Sequence, residues 1–322
     1  MSEGIAIITS GGDAAGMNPA VKCAAEYAAK QGLKPWLVYG GLRGLINGDI
    51  VESERSLISG ILHRGGTVLR SSRSKEFFEL SYREKAYNNL RERGINKLLV
   101  IGGDGSFRAL NQFYSDFGMP FAGIPATIDN DIAGTDYCLG VDTALNMIRE
   151  SIDSIRDTAT SFSRAFVIEV MGRHCGYLAM VSSLASGAEI CLTPELPYNL
   201  DGIGARLKHE IEHEKRDYVL AIVAEGTKMA DYVTRWINDS IGMEARLTVL
   251  GHVQRGGSPS VYDRIMAYKF AVAAVDSLLS GEKNAIMVFR KGSFGQAPIE
   301  EVCDSKYEMD PAILKLCKPL AE

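Results

Sequence analysis

Apolar residues gather in short runs that alternate with helical periodicities along the chain. Residues 5–8, 98–101, 121–125, 166–170, 219–223 and 285–289 each carry nearly continuous apolar character. A strand covered on both faces has this pattern, so the runs predict a parallel sheet under helices. Ala144, Met147, Ile148, Ile152 and Ile155 recur at helical spacing and predict one apolar helix face. A second long helix is expected over Val261–Leu279, with Gly281 as its stop. The alternation as a whole predicts an α/β fold with right-handed crossovers. No Pro/Ser linker or repeat interrupts it, which favours two packed domains over separate modules. The charged run 209–217 reads as the solvated end of a helix.

Four of the predicted strands lead directly into loops with glycine and polar residues. These are Ser10-Gly11-Gly12-Asp13, Gly102-Gly103-Asp104-Gly105-Ser106, Met171-Gly172-Arg173-His174 and Ala224-Glu225-Gly226. In open parallel sheets ligands bind beyond the carboxyl ends of the strands, so a site built from distant segments is expected. Glycines let backbone N–H groups approach an anion, and a helix N-terminus adds partial positive charge, which suits phosphate. The same glycines would also serve a plain strand-to-helix turn. Neither the G-x-x-x-x-G-K-[ST] pattern nor G-x-G-x-x-G is present in the first loop, so a nucleotide there would be held without a Walker lysine. Asp104, flanked by glycines at a strand end, suits a Mg²⁺ ion beside a polyphosphate. In Pro125-Ala126-Thr127-Ile128-Asp129-Asn130-Asp131 an extended backbone would turn Asp129 and Asp131 to one side. Paired carboxylates repel, which suits one of them to general-base work on a hydroxyl; turn-forming aspartates are the alternative.

Composition narrows the class without naming it. Hydrophobic residues at 46% and charged residues at 23% are ordinary for a globular chain and argue against disorder. A net charge of -5 disfavours a general nucleic-acid or anionic-membrane binder. No apolar run approaches the roughly 20 residues that span a bilayer. The start carries Glu3 where a secretory signal carries basic residues. The six cysteines form no C-x-x-C pair and are expected to be reduced thiols in a cytoplasmic protein. Within this acidic chain Arg64, Arg70, Arg73, Arg164, Arg173, Arg246 and Arg255 stand out, several beside glycines. Arginine's planar fork matches phosphate oxygens, although any one of them alone could be a surface residue.

Taken in order, these segments resemble the ATP-dependent 6-phosphofructokinases of the bacterial type. The matching strings are Thr9-Ser10-Gly11-Gly12-Asp13, His63-Arg64-Gly65-Gly66-Thr67, residues 101–106, Thr127-Ile128-Asp129-Asn130-Asp131, Ile155-Arg156-Asp157-Thr158-Ala159-Thr160, residues 168–174 and residues 251–259. The similarity covers most of the chain and weakens after about Gly292. It implies the phosphofructokinase fold: two doubly wound parallel-sheet domains facing a shared active-site cleft, in a homotetramer. Residues 1–138 with about 252–302 would form the larger, ATP-binding domain. Residues 139–251 with about 303–322 would form the smaller, sugar-phosphate-binding domain.

The resemblance also assigns roles. Gly11, Arg73, Ser74, Gly103, Asp104, Gly105 and Ser106 would hold ATP, with Asp104 serving Mg²⁺. Asp129 would take the proton from the 1-hydroxyl of fructose 6-phosphate, and Arg73, Arg173 and Thr127 would stabilise the transferring phosphoryl group. Ile128, Met171, Gly172, Arg173 and Glu225 would line the sugar site. His252 and Arg255 would bind its 6-phosphate, with Arg164 and Arg246 reaching in from a neighbouring subunit.

A small Gly105 leaves room for the α-phosphate of ATP, where pyrophosphate-using relatives carry aspartate. Those relatives carry lysine where this chain has Ala126, and the ATP-dependent pattern has glycine there. At the family's effector site Arg156, Glu189 and Arg216 match, and Lys22 replaces an arginine. Glu26 and Glu214 replace basic residues, however, and Gly60 stands for an aspartate. Control by ADP or phosphoenolpyruvate is therefore expected to be lost or altered, and titrating activity against either would show strong sigmoidal response if it is not. The rival readings are a pyrophosphate-dependent phosphofructokinase, an NAD or lipid kinase sharing the glycine–aspartate loop, and a non-catalytic nucleotide sensor. Retention of Asp104, Asp129 and Arg173 argues against the sensor.

Overall fold

The computed structural model describes residues 3–72 and 74–322. Arg73, expected at the transferring phosphoryl group, lies outside them. The chain divides into two compact units. The first comprises residues 1–128, 132–143 and 255–307; the second comprises 129–131, 144–254 and 308–322.

The first unit is built on a seven-stranded sheet. Its strands are β1 (Gly4–Thr9), β2 (Lys34–Val38), β3 (Ile50–Glu52), β4 (Ile95–Gly102), β5 (Phe121–Pro125), β10 (Asn284–Arg290) and β11 (Ser293–Pro298). The spatial order is β11-β10-β5-β4-β1-β2-β3. The five inner strands run parallel, and β3 and β11 close the two edges antiparallel. The second unit has four parallel strands, β6 (Ala165–Val170), β7 (Ile190–Leu192), β8 (Val219–Ala224) and β9 (Ala245–Val249), in the order β7-β8-β6-β9.

All six apolar runs are strands, and each lies inside a sheet or beside a central strand. Of the five strands without a clear sequence signal, β2 is only half-buried over its first three residues, and the other four are short or peripheral. β3 and β7 have three residues each, and β9 and β11 are half-exposed edges whose residues need not be apolar. The helix Val141–Phe162 buries Ala144, Ile148 and Ile152. The helix Val261–Leu279 has the expected bounds and is capped by Ser260, whose hydroxyl accepts from the Asp263 N–H.

One mid-strand glycine positions chemistry. A Cβ on Gly123 of β5 would stand 2.4 Å from Ile286 Cδ1 and 2.8 Å from Phe107 Cε1. Its absence lets Phe107, fully buried, seat the helix Asp104–Phe117 on the sheet. Burial of such a ring contributes about 1.5–3 kcal/mol, which anchors the helix start that carries Asp104.

The run 209–217 differs from the solvated helix end expected. The helix Leu200–His213 does end there with His209 and His213 exposed, but Arg216 turns inward. It pairs with the buried Glu189 and with Glu210, because a carboxylate kept from water needs a cation and donors. All six cysteines are free thiols and buried.

Candidate active site

In the first unit, loops far apart in sequence converge past the carboxyl ends of β1 and β4. Thr9, at the end of β1, shares a hydrogen bond with the Thr67 hydroxyl at 2.8 Å and reaches the Arg70 carbonyl. Ser71 Oγ donates to the Gly11 carbonyl at 2.7 Å. A Cβ on Gly102 would lie 2.4 Å from the Ser10 carbonyl, so the two strand ends touch through backbone. Asn18, fully buried, donates its amide to the carbonyls of Arg64 and Gly65 and accepts from the Val68 N–H. Gly65 in turn abuts Gly257, where a Cβ would meet the Gly257 carbonyl at 2.2 Å. Arg255 Nη1 donates to the Asp13 carbonyl at 3.1 Å. Residues 9–13, 64–71, 102–106 and 255–257 thus form one cluster. Ser74 is buried close by in sequence, its hydroxyl 3.4 Å from Glu76 Oε2.

The glycines of this cluster divide by what surrounds them. Gly102 is required by packing, and Gly11 has a left-handed φ of 89° that glycine adopts freely. Gly103 and Gly105 have neither constraint, since a Cβ on either meets nothing within 4 Å. Glycine inside a helix is unfavourable by roughly 0.5–1 kcal/mol relative to alanine. Gly105 lies within the helix Asp104–Phe117, so the protein's own structure gives no reason for it. The space it leaves sits at the N-terminus of a 14-residue helix, where N–H groups and the helix dipole favour an anion.

Asp104 lies on that helix's first turn. Its Oδ2 accepts from Arg108 Nε at 3.1 Å, while Oδ1 is shielded from solvent with no N–H or O–H donor on it, the Cys303 thiol lying against the same carboxylate. An orphaned carboxylate oxygen beside an anion cradle fits a Mg²⁺ ion carried by a polyphosphate. Among the described residues no three His, Cys, Asp or Glu side chains cluster to bind a metal by themselves. A cation here would therefore take most of its ligands from phosphate and water.

In the second unit the loops after β6 and β8 interlock. Gly226 N–H donates to the Gly172 carbonyl at 3.2 Å, and a Cβ on Gly226 would stand 2.1 Å from the Arg173 carbonyl. Gly172 has φ 125°, and a Cβ there would meet the Cys175 carbonyl at 2.4 Å. These contacts shape a pocket of about 480 Å³ lined by Arg173, His174, Glu225, Gly226 and Lys228. Lys228, at a left-handed φ of 56°, has no marking motif in the sequence. Buried Gln254 accepts from the Met171 N–H at 3.0 Å and donates to the Gly251 carbonyl. It thereby ties the turn bearing the exposed His252 to the 171–173 loop.

Asp129 and Asp131 belong to this unit, near the same loop. Burial above all pushes the Cys175 thiol up to about 12, with the charges of Glu195, Asp131 and Asp129 adding to it. Cys175 is therefore a neutral packing residue. The extended backbone expected over Asp129–Asp131 is not found. Ile128 and Asp129 form a turn and Asn130 is left-handed at φ 51°, so alternation of side chains does not apply. Asparagine tolerates that conformation better than most residues. Ile128 is fully buried, and Thr127 precedes the turn in the first unit.

Arg164 and Arg246 stand apart from the pocket. Arg164 immediately precedes β6, and Arg246 pairs in register with Phe166 near the start of that strand. Both guanidinium groups engage Glu244. The pocket residues follow the opposite, carboxyl end. At about 3.3 Å per residue, five to six residues put the two sets about 17–20 Å apart, beyond the reach of an arginine.

Of the effector-pattern residues, Lys22 pairs with Glu26 one turn along its helix, so the substituted acid neutralises the remaining cation. Arg156 contacts the Tyr218 hydroxyl and the Ser186 carbonyl.

Comparison with known proteins identifies the family of the chain. The family profile described as Phosphofructokinase matches residues 4–278. The chain belongs to the phosphofructokinase family. It is 53% identical to the ATP-dependent 6-phosphofructokinase of Sulfurimonas denitrificans, over 98% of this chain and 99% of that protein. It is 54% identical to the ATP-dependent 6-phosphofructokinase of Wolinella succinogenes, over 89% of this chain and 90% of that one. Among solved structures it is similar to phosphofructokinase from Saccharomyces cerevisiae, with a TM-score of 0.90 and 32% identity over 94% of this chain. The match spans 45% of that yeast chain. Among the described residues no helix is long and apolar enough to cross a membrane.

Proposed function

We propose that this chain is an ATP-dependent 6-phosphofructokinase. It transfers the γ-phosphoryl group of ATP to the 1-hydroxyl of D-fructose 6-phosphate, giving fructose 1,6-bisphosphate and ADP. The observation that carries this reading is the open space at Gly105 beside the orphaned oxygen of Asp104, at a helix N-terminus. The space suits a nucleotide phosphate, and the relatives over 50% identical are named for ATP.

The first unit would hold the nucleotide. Gly11, Ser74, Gly103, Gly105 and Ser106 surround the phosphates, and Arg73 belongs to this set by resemblance. Asp104 would hold Mg²⁺, which supplies charge neutralisation on the phosphate oxygens. The second unit would hold the sugar through Met171, Gly172, Arg173, Glu225 and His252, with Ile128 shaping the approach. Arg255, which the first unit holds by the Asp13 carbonyl, keeps further N–H groups for a phosphate. Asp129 would accept the hydroxyl proton as the oxygen attacks phosphorus. Arg173 and Thr127 would stabilise charge on the group in transit, a contribution that rests on fixed donors rather than on new bonds.

The remoteness of Arg164 and Arg246 from the pocket of their own chain supports sites completed by a second copy, as in a homotetramer. The reading also places the enzyme in the cytoplasm, where glycolytic substrates occur.

Ala126 is buried at the end of β5, its N–H bonded to the Gly102 carbonyl, and offers no cation to pyrophosphate. A coupled assay with fructose 6-phosphate and each donor in turn tests the assignment. Turnover is expected with MgATP and to be at least about 100-fold lower with pyrophosphate, on the order of one good charged contact or more. Preference for pyrophosphate would reverse the donor assignment.

A further inference from the structure

We propose that Arg108 is a positioning residue for phosphoryl transfer. Braced by Asp304, it holds one carboxylate oxygen of Asp104 and presents the other to the cation that accompanies the triphosphate. The inference rests on the proposed reading of Asp104 and extends it to residues that no motif marks.

Arg108 follows Asp104 by one helical turn, and its Nε donates to Asp104 Oδ2 at 3.1 Å. A different nitrogen of the same guanidinium, Nη1, donates to Asp304 Oδ1 at 3.2 Å. Asp304 ends the helix Ile299–Asp304, remote in sequence but packed against the helix that begins at Asp104. The preceding residue, buried Cys303, rests its sulfur 4.0 Å from the Asp104 carbonyl oxygen. The start of the helix is thus held through both its backbone and its side chain.

Stability does not account for the arrangement. The side chains of Arg108, Asp104 and Asp304 are 49%, 46% and 69% exposed, and ion pairs in such positions contribute little to folding. Geometry gives a better reason. A carboxylate paired at a single point can still swing, whereas a planar fork fixed at a second carboxylate allows fewer orientations. In the orientation held, Arg108 engages Oδ2 and no N–H or O–H donor reaches Oδ1, while the Cys303 thiol faces the same carboxylate as a weak donor that a cation can displace. A metal ligand needs that division, since partners behind a ligand orient it toward the ion.

The test uses the full-length chain and Mn²⁺ as the probe, followed by the proton relaxation of water, whose enhancement separates protein-bound Mn²⁺ from the Mn²⁺–ATP complex in solution, with and without ATP and against a protein-free ATP control. Metal-free ATP binding is measured separately in EDTA. Arg108→Met is expected to weaken ATP-dependent Mn²⁺ uptake about 10–100-fold while leaving metal-free ATP affinity within about twofold. Its melting temperature should stay within about 3 °C of wild type, as for loss of the similar exposed pair Arg149–Asp153. Arg108→Lys, a point charge without the fork, should recover only part of the uptake. Asp304→Asn should shift it in the same direction by about threefold or more, and it decides the matter if Arg108→Met does not fold.

Wild-type uptake by Arg108→Met, or by Asp304→Asn when that variant decides, overturns the proposal and leaves the kinase reading intact. Equal losses of metal-free and metal-bound ATP overturn it in favour of a direct contact between Arg108 and phosphate. Absence of ATP-dependent uptake by the wild type overturns both the proposal and the metal role of Asp104.

Discussion

Replacing Asp129 by asparagine is expected to lower kcat about 10²–10⁴-fold, the range that a positioned general base contributes. The substitution keeps the shape and polarity of the turn but removes the group that, in the proposed reading, accepts the sugar's proton. KM for fructose 6-phosphate should change far less, because the proposed reading has the sugar held mainly by the cationic and backbone groups of the 171–173 loop and its neighbours. Steady-state kinetics with MgATP, alongside circular dichroism to confirm the fold, provide the measurement. A variant retaining more than about a tenth of the wild-type kcat would exclude Asp129 as the base. Alternation along an extended strand does not set Asp129 and Asp131 side by side, because the backbone turns at Ile128–Asp129 and is left-handed at Asn130.

The largest effect on stability is expected at Asp263, which touches neither substrate in the proposed reading. Its side chain is fully buried and its carboxylate accepts four hydrogen bonds within the first unit. Oδ1 receives the Tyr137 hydroxyl at 2.6 Å and the Gly140 N–H at 2.7 Å. Oδ2 receives the Thr143 N–H at 2.8 Å and the Thr143 hydroxyl at 2.5 Å. Burial raises the proton affinity of this carboxyl, and the donors oppose that shift.

Asp263→Ala would strand these donors in the interior, where each unsatisfied group costs about 1–3 kcal/mol. Partial relaxation and entry of water make the sum smaller than four such terms, so a loss of about 3–5 kcal/mol is expected. That is a large part of the roughly 5–15 kcal/mol that holds a typical protein folded. Urea denaturation followed by circular dichroism measures it, and a loss below about 1 kcal/mol would show the network to be dispensable. Asp263→Asn should fall between, because one face of its amide would oppose the N–H groups it replaces a partner for.

Asp263 also shows where sequence reading stops. An aspartate in the first turn of a helix reads as a charge favourable to the helix dipole, and nothing in the string 260–263 points back to residues 137–143. Asn18 is similar: it sits in the first turn of the helix Met17–Lys30, yet its amide clamps the 64–68 loop. Both pairings bridge long sequence separations, and no local periodicity encodes them.

The alternation of buried strands and amphipathic helices, and with it the α/β class, was determined by the sequence alone. A strand covered on both faces must be apolar along its whole length, and that requirement leaves a local mark. The positions of the glycine-bearing loops were equally plain, since each directly follows such a strand. Only the tertiary structure separated Gly102, which must be small because the Ser10 carbonyl lies against it, from Gly103 and Gly105, which have open space. Only strand register placed Arg164 and Arg246 at the end of their sheet opposite the Arg173 pocket. Edge strands such as β9 and β11, the inward turn of Arg216 and the clamp at Asp263 were likewise decided by neighbours distant along the chain. Composition and periodicity register a residue's burial and conformational preference, but its partners depend on how the whole chain packs.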